Sequence, residues 1–318
     1  MATAFFIFKN EKGQRIMIDQ VESMTAKLCA FARAWHSNKA TQKIFDDYLA
    51  YDIMGSEEYT EIYNFISQGF SENQDTKPYS KGDVEEIINQ YLMPIPVSRI
   101  HFSEERLLKF AEGNQEVQYV ICGAGSDTFS FRNTNSNIKI FEIDHPDTQK
   151  YKLDKIKKLQ WIIPKNVNFV EVDFEKEKLE DKLLEKGFNP NIKTCYSILG
   201  VSYYLTLPVF INTLTSISEI SENGSILIFD YPGKYDTPPS RRVERLAKIT
   251  KSLGEKMTEG FTYNQLSRAL YSLGFQIDTY LTPSRVEEEY FAHRTDGLKA
   301  FENVHLISAT YTGGIVYE

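Results

Sequence analysis

The chain has 318 residues, 42% of them hydrophobic and 25% charged, enough to bury a substantial core in one large α/β domain or in a domain with an extension. Its 36 basic and 44 acidic residues leave a net charge of -8, which argues against general affinity for phosphate backbones or anionic membrane, so neither nucleic acid nor membrane is expected as a partner. Cys29, Cys122 and Cys195 lie far apart, two of them in apolar runs, and are expected as buried free thiols rather than disulfides or metal ligands; no metal is expected.

In chain order, the Phe5-Phe6-Ile7-Phe8 cluster is followed at once by charge and lacks the apolar core of a signal peptide, so a cytoplasmic protein is expected. Residues 24–36, 44–54, 84–91 and 104–110 carry helical periodicity, with a turn-rich stretch over 71–82. No strand pattern interrupts them, which predicts a helical N-terminal extension or cap over residues 1–110. After Gln118 short apolar runs alternate with longer amphipathic ones, the pattern of a parallel sheet covered by helices, and residues 111–318 are read as one such domain. Strands are predicted at 119–122, 138–141, 167–172, 194–199, 225–229, 275–281 and 304–310, with helices at 146–161, 175–186, 208–221 and 263–273. The window 194–220 is the most apolar, but Gly200, Pro208 and several Ser and Thr residues interrupt it, which suits a strand, a loop and a helix better than a membrane span. The short connection between the last two strands predicts an antiparallel edge. The fold class is therefore α/β, a doubly wound, Rossmann-like, mostly parallel sheet that takes its ligand beyond the strands' carboxyl ends, where the strand order reverses.

Those strand ends carry one set of polar residues. Gly123 and Gly125 follow the first strand, Glu142 and Asp144 end the second, Asp173 and Phe174 follow the third, and Leu199-Gly200-Val201 ends the fourth. A glycine turn lets backbone approach a ligand closely. An acidic side chain about 20 residues on accepts from ribose hydroxyls, a place that Glu142 and Asp144 both fill. Asp173 is positioned to accept from an adenine amino group, with Phe174 against the base. Each residue also has a bland reading, as a helix cap or a solvated strand end. The four in this order point to a nucleoside site. A dinucleotide loop needs a third glycine and an open helix N-terminus, whereas this chain has Thr128 preceded by the carboxylate of Asp127. A carboxylate there repels pyrophosphate and suits a ligand with a cationic amino acid moiety, such as the methionine part of S-adenosyl-L-methionine.

The blocks Gly123-Ala-Gly-Ser-Asp-Thr-Phe-Ser-Phe-Arg132, Phe141-Glu-Ile-Asp-His-Pro146 and Gly200-Val-Ser-Tyr-Tyr-Leu205 resemble the leucine carboxyl methyltransferase family and its bacterial relatives, class I S-adenosyl-L-methionine-dependent O-methyltransferases. Ser23-Met-Thr-Ala26, Arg33-Ala34, Ile44-Phe-Asp-Asp47, and the run from Phe261 through Gly274-Phe275 to Tyr290-Phe291, are similar to the bacterial branch. The resemblance implies that Gly123 lies under the methionine part, that Asp144 with Glu142 holds the ribose, and that Asp173 and Phe174 border the adenine. It further implies that Arg99, 24 residues before Gly123, pairs with the cofactor carboxylate, with Lys27 assisting. Leu199 stands where the family commonly has an acidic residue, which removes one polar contact near the methionine amino group and weakens the reading of a protein C-terminal leucine as acceptor; the resemblance of the N-terminal blocks to the bacterial branch implies a small-molecule acceptor instead.

Methyl transfer is an in-line displacement that chiefly requires orientation and exclusion of water. A carboxylate acceptor is already ionised and needs no base, whereas a hydroxyl needs one. Tyr203, Tyr204, Asp230 and Tyr231 are the substrate candidates; His101, His145, Arg241, Arg242 and Arg245 have plausible structural roles instead, and no catalytic base is assigned. Two alternatives stay open at this point: a nicotinamide-dependent oxidoreductase and a non-catalytic S-adenosyl-L-methionine-binding protein.

Overall fold

The computed structural model describes residues 8–9, 15–16, 24–69, 79–173, 177–234, 239–255 and 257–313. A short antiparallel hairpin, β1 (Phe8–Lys9) and β2 (Arg15–Ile16), stands apart from the main sheet. The main sheet has seven strands: β3 (Val117–Cys122), β4 (Ile138–Asp144), β5 (Val167–Glu171), β6 (Thr194–Ile198), β7 (Ile226–Pro232), β8 (Phe275–Leu281) and β9 (Val304–Tyr311). Their order is β5-β4-β3-β6-β7-β9-β8, and the first five run parallel. The last two strands form an antiparallel pair at the edge, with β9 inserted between β7 and β8 and antiparallel to both. The order reverses between β3 and β6, which leaves a crevice beyond their carboxyl ends.

Strand alternation divides the interior into two cores. Val117, Tyr119 and Ile121 of β3 face the N-terminal helices in one cluster, while Val120 and Cys122 face the other side with Leu183, Phe210, Leu214 and Leu270. The strands are buried on both faces and so read as continuous apolar runs, which is why they stand out in the sequence. Helices α8 (Leu179–Glu185), α9 (Leu207–Glu219) and α11 (Tyr263–Ser272) cover this second face.

The first face is covered by α1 (Met24–Lys39), α3 (Ser56–Ser67), α4 (Lys81–Ile87) and α5 (Pro94–Glu112). Helix α4 opens on a reciprocal Ser80–Asp83 capping box and runs into a wide π-helical turn, Ile88–Leu92. Helix α5 begins directly after it, with Pro94 and Pro96 in a first turn whose backbone N–H groups have no intrahelical acceptor, so proline costs nothing there. The helix expected over 44–54 is only α2 (Ala50–Met54). The backbone N–H of Ile44 donates to His36 Nε2 at 2.9 Å, and the Asp47 side chain turns inward, so tertiary bonds displace the helix there. Helix α3 was not anticipated, because its tyrosines and glutamates blur its apolar stripe.

The remaining helices are α6 (Phe129–Arg132), α7 (Pro146–Lys158), α10 (Arg241–Ser252) and α12 (Pro283–Val286). His145 caps α7, its Nδ1 accepting from the Asp147 backbone, and Pro146 takes the first helical position. Among the described residues no helix is long and apolar enough to cross a membrane.

Candidate active site

The crevice between β3 and β6 deepens into a cavity that α1, α5 and α10 close from above. One end is made of strand-end turns: Gly123 to Asp127 after β3, Asp144 with Thr148, and Leu199 to Val201 after β6. The other is a wall of Leu28, Tyr91, Leu92, Ile95, Pro96, Leu246, Ile249 and Met257, with Cys29, Tyr203, Tyr204 and Thr250 bordering it.

The turn after β3 needs its glycines. Gly123 has φ +76°, and a Cβ there would stand 3.0 Å from Val201. Asp144 ends β4 and folds back over this turn, one carboxylate oxygen accepting the Gly125 N–H at 2.6 Å and the other the His145 N–H at 2.8 Å. Burial raises its pKa, and those two backbone donors oppose the rise. Asp127 accepts from the Phe129 N–H at 2.7 Å, capping the four-residue α6 with its own carboxylate. A pyrophosphate has no open helix terminus there.

A second polar knot lies across the crevice. Arg99, in the second turn of α5, is largely withdrawn from solvent, with a side chain 12% accessible. Its guanidinium lies directly against Gly200, whose φ is +75°; a Cβ on Gly200 would meet guanidinium atoms at 2.5 Å. Arg99 Nη1 reaches Asp230 Oδ2 at 3.4 Å and Nη2 reaches the Cys29 sulfur at 3.7 Å, while Nε has no partner. Burial works to lower the Arg99 pKa, but Asp230 together with Cys29, Tyr203 and Tyr204 outweighs it and the pKa is raised. Burial pushes the Cys29 thiol up, against the pull of Arg99.

A third feature links α1 to the turn. Arg33 donates to Asp47 and to the Ser126 carbonyl, Asp47 accepts in addition from the Thr128 hydroxyl, Arg132 Nε donates to that hydroxyl and lies 3.3 Å from Asp47 as an ion pair, and Arg132 forms two bonds to Glu104. This buried lattice fixes the glycine turn from the N-terminal side.

Of the residues singled out in the sequence, Arg99, Gly123, Gly125, Asp127, Asp144, Leu199, Gly200, Tyr203 and Tyr204 line the cavity. The others lie elsewhere. Glu142 is fully buried, bonded to Lys152 of α7 and to Ser130, and lies outside the lining. Lys27 pairs with Glu58 at 3.3 Å beside the Tyr151 ring. Asp173 lies beyond the cavity wall, with its backbone N–H on Glu177, and Phe174 falls outside the described residues. Asp230 and Tyr231 are not among the lining residues: Asp230 is fully buried beside Arg99, and Tyr231 is fully buried against His305. His101 packs edge-on to Tyr290. Arg242 binds the carbonyls of Gln90, Lys299 and Ala300, and Arg245 lies over the Tyr91 ring, so these arginines join α10 to the π-helical turn. Arg33, Cys29, Tyr91, Leu246 and Ile249 line the cavity as well, beyond the site residues named from the sequence. The only signals were the quoted Arg33-Ala34 and Ile44-Phe-Asp-Asp47 blocks; apolar wall residues carry no chemical signature. Among the described residues no cluster of three or more His, Cys, Asp or Glu converges to hold a metal ion.

The family model described as leucine carboxyl methyltransferase matches residues 26–218. The chain belongs to this family. It is similar to YktD of Bacillus subtilis strain 168, provisionally named an S-adenosyl-L-methionine-dependent methyltransferase, with 36% identity over 301 residues covering 90% of this chain and 97% of YktD. A similarly named Frankia alni protein, FRAAL3836, is 26% identical over 136 residues, 42% of this chain and 48% of its own length. A Thermobifida fusca crystal structure, provisionally named a methyltransferase, has 11% identity and a TM-score of 0.49, covering 79% of this chain and 94% of that one. The leucine carboxyl methyltransferase match spans α1 to α9 and so contains both the Arg33–Asp47 lattice and the turns after β3 and β6.

Proposed function

We propose that this protein transfers a methyl group from S-adenosyl-L-methionine to an oxygen atom, carboxylate or hydroxyl, of a small organic acceptor. The methyltransferase class and its donor follow from family membership and the relatives' names. The acceptor class is the proposal. One observation carries it: a single cavity has a polar, glycine-lined end and a wall of apolar side chains bordered by Tyr203, Tyr204 and Cys29.

The residues present fit the donor. Gly123 leaves space that a Cβ would take, Asp144 is fixed by two backbone donors with lone pairs to spare, and the buried Arg99 has an unpartnered Nε. In this reading Gly123 and Gly125 lie along the methionine part, Asp144 takes the ribose hydroxyls and Arg99 takes the carboxylate. S-adenosyl-L-methionine supplies a methyl group made electrophilic by its sulfonium. The chain's own part is to orient the acceptor and exclude water, which the apolar wall does. An acceptor with an apolar body matches that wall. Residues 1–110 serve as a cap that completes the site over the 111–318 unit, since α1 supplies Cys29 and Arg33 and α5 supplies Arg99 to the cavity.

The test is a panel of apolar carboxylic acids, phenols, amines, thiols and carbon acids incubated with the protein and labelled donor, with products weighed by mass spectrometry. A methyl ester or methyl ether is expected; transfer only to nitrogen, carbon or sulfur acceptors would overturn the reading.

A further inference from the structure

Asp230 forms a three-way junction beneath the cavity. It is fully buried at the carboxyl end of β7, yet its two oxygens meet donors from three separate places: the Gly200 N–H at 2.7 Å, the Tyr203 hydroxyl at 2.8 Å and Arg99 Nη1 at 3.4 Å. The hydroxyl of Ser202 adds a bond to the Asp230 backbone carbonyl at 2.7 Å. Glycine at 200 lets the guanidinium lie against the backbone, and the positive φ there turns the Gly200 N–H toward Asp230. Of the Arg99 donors, Nη1 alone is committed to a carboxylate; Nε is buried without a partner and Nη2 has only a sulfur.

We propose that Asp230 is a positioning residue that acts through Arg99: it locks the guanidinium against the turn after β6 so that the remaining donors point at a carboxylate bound in the cavity. This rests on the methyl-donor reading above, and the ligand class is an α-amino acid carboxylate carried on a nucleoside thioether. The carboxylate is required chemically. An asparagine at 230 has one acceptor oxygen and one NH2 group for three incoming donors, so whichever way it turns it sets a donor against the Gly200 N–H or against Arg99 Nη1. The soft member of that set is the arginine side chain, so the guanidinium is displaced.

The test compares two ligands that differ only at the amino acid end: S-adenosyl-L-homocysteine, which has the carboxylate, and 5′-methylthioadenosine, which lacks it. Both are titrated calorimetrically into wild-type, Asp230→Asn and Arg99→Met proteins. The expected result is that both substitutions weaken S-adenosyl-L-homocysteine at least tenfold and leave 5′-methylthioadenosine within twofold. A merely structural role for Asp230 predicts equal losses of both ligands. Tyr203→Phe, which removes one hydroxyl and keeps the ring, serves if the asparagine variant does not fold, with a loss of about threefold confined to S-adenosyl-L-homocysteine. Unchanged or tighter binding of S-adenosyl-L-homocysteine to a folded Asp230→Asn protein overturns the proposal, as does a parallel loss of both ligands. Failure of the wild-type protein to bind either ligand would instead strike at the donor reading itself.

Discussion

The Arg33 guanidinium reaches the Asp47 carboxylate at 2.5 Å and the Ser126 carbonyl at 2.9 Å, so one buried cation on α1 grips both the chain that follows α1 and the turn after β3. The N-terminal helices are thereby part of the site's frame as well as its cover.

Breaking this pair should be costly. Asp47→Asn leaves Arg33 and Arg132 facing a neutral group inside a lattice whose Asp47 side chain is fully inaccessible, and removing one partner of a buried pair typically costs about 3–5 kcal/mol. Urea denaturation should show that loss, together with weaker S-adenosyl-L-homocysteine binding because Ser126 and Thr128 lose their anchor.

Gly200→Ala separates binding from folding. The new methyl group falls on the far end of the flexible Arg99 side chain, which can move, so the stability cost is the positive-φ strain of about 1–2 kcal/mol. The displaced guanidinium should weaken S-adenosyl-L-homocysteine at least tenfold, measured by calorimetry on protein that melts close to wild type.

Acid should weaken the fold through its buried histidines. Burial pushes His305 and His36 down to about 4, whereas unfolded histidine titrates near about 6.5. Between those values the unfolded chain binds more protons, so the contribution is complete above the unfolded pKa and is lost as the pH falls toward the folded one. Buried Glu142 and Asp144, whose pKa values are raised, act in the opposite sense, so the effect is read as a difference. Wild type should lose about 1–2 kcal/mol more than His305→Phe between pH 7.5 and pH 5 in urea melts, as roughly expected for a shift of this size. Phenylalanine keeps the stack on Tyr231 and Tyr280.

Arg242→Ala should act on the acceptor rather than the donor. Its bonds to Gln90, Ala300 and Lys299 tie α10 to the π-helical turn, and α10 brings Leu246 and Ile249 to the cavity wall. With that tie cut, the acceptor KM should rise severalfold while the donor KM changes less than twofold, in steady-state assays with the best acceptor from the panel.

The sheet was legible because its strands are buried on both faces, so their apolar runs need no partner to be recognised. The glycine turn and Asp144 were legible for a related reason: local backbone demands leave local residue types. Glu142 shows the limit. It sits two residues before Asp144 on the same side of β4, and only the arrival of Lys152 from α7 makes it an internal ion-pair partner. Arg99 was legible through the family resemblance alone, and nothing near it in sequence announces its partner, the Asp230 carboxylate 131 residues away. Asp230 and Tyr231 stand at a strand end, but each is covered by distant residues: Arg99, Gly200 and Tyr203 meet Asp230, and Phe261 and His305 stack on Tyr231. Long-range partners decided each of these, and sequence periodicity carries no information about them.

The position of β9 has a consequence for the order in which the protein is completed. This strand is the final described element of the chain, yet it is wedged between β7 and β8 and hydrogen-bonded to both. On the ribosome β7 therefore emerges long before its outer neighbour, and Asp230, which pairs with Leu306 in that register, has an open flank until β9 has emerged. The Asp230 backbone is unpaired on that flank until then. A chain that stops short of β9 would have every polar residue of the site and lack the strand that holds one of them still.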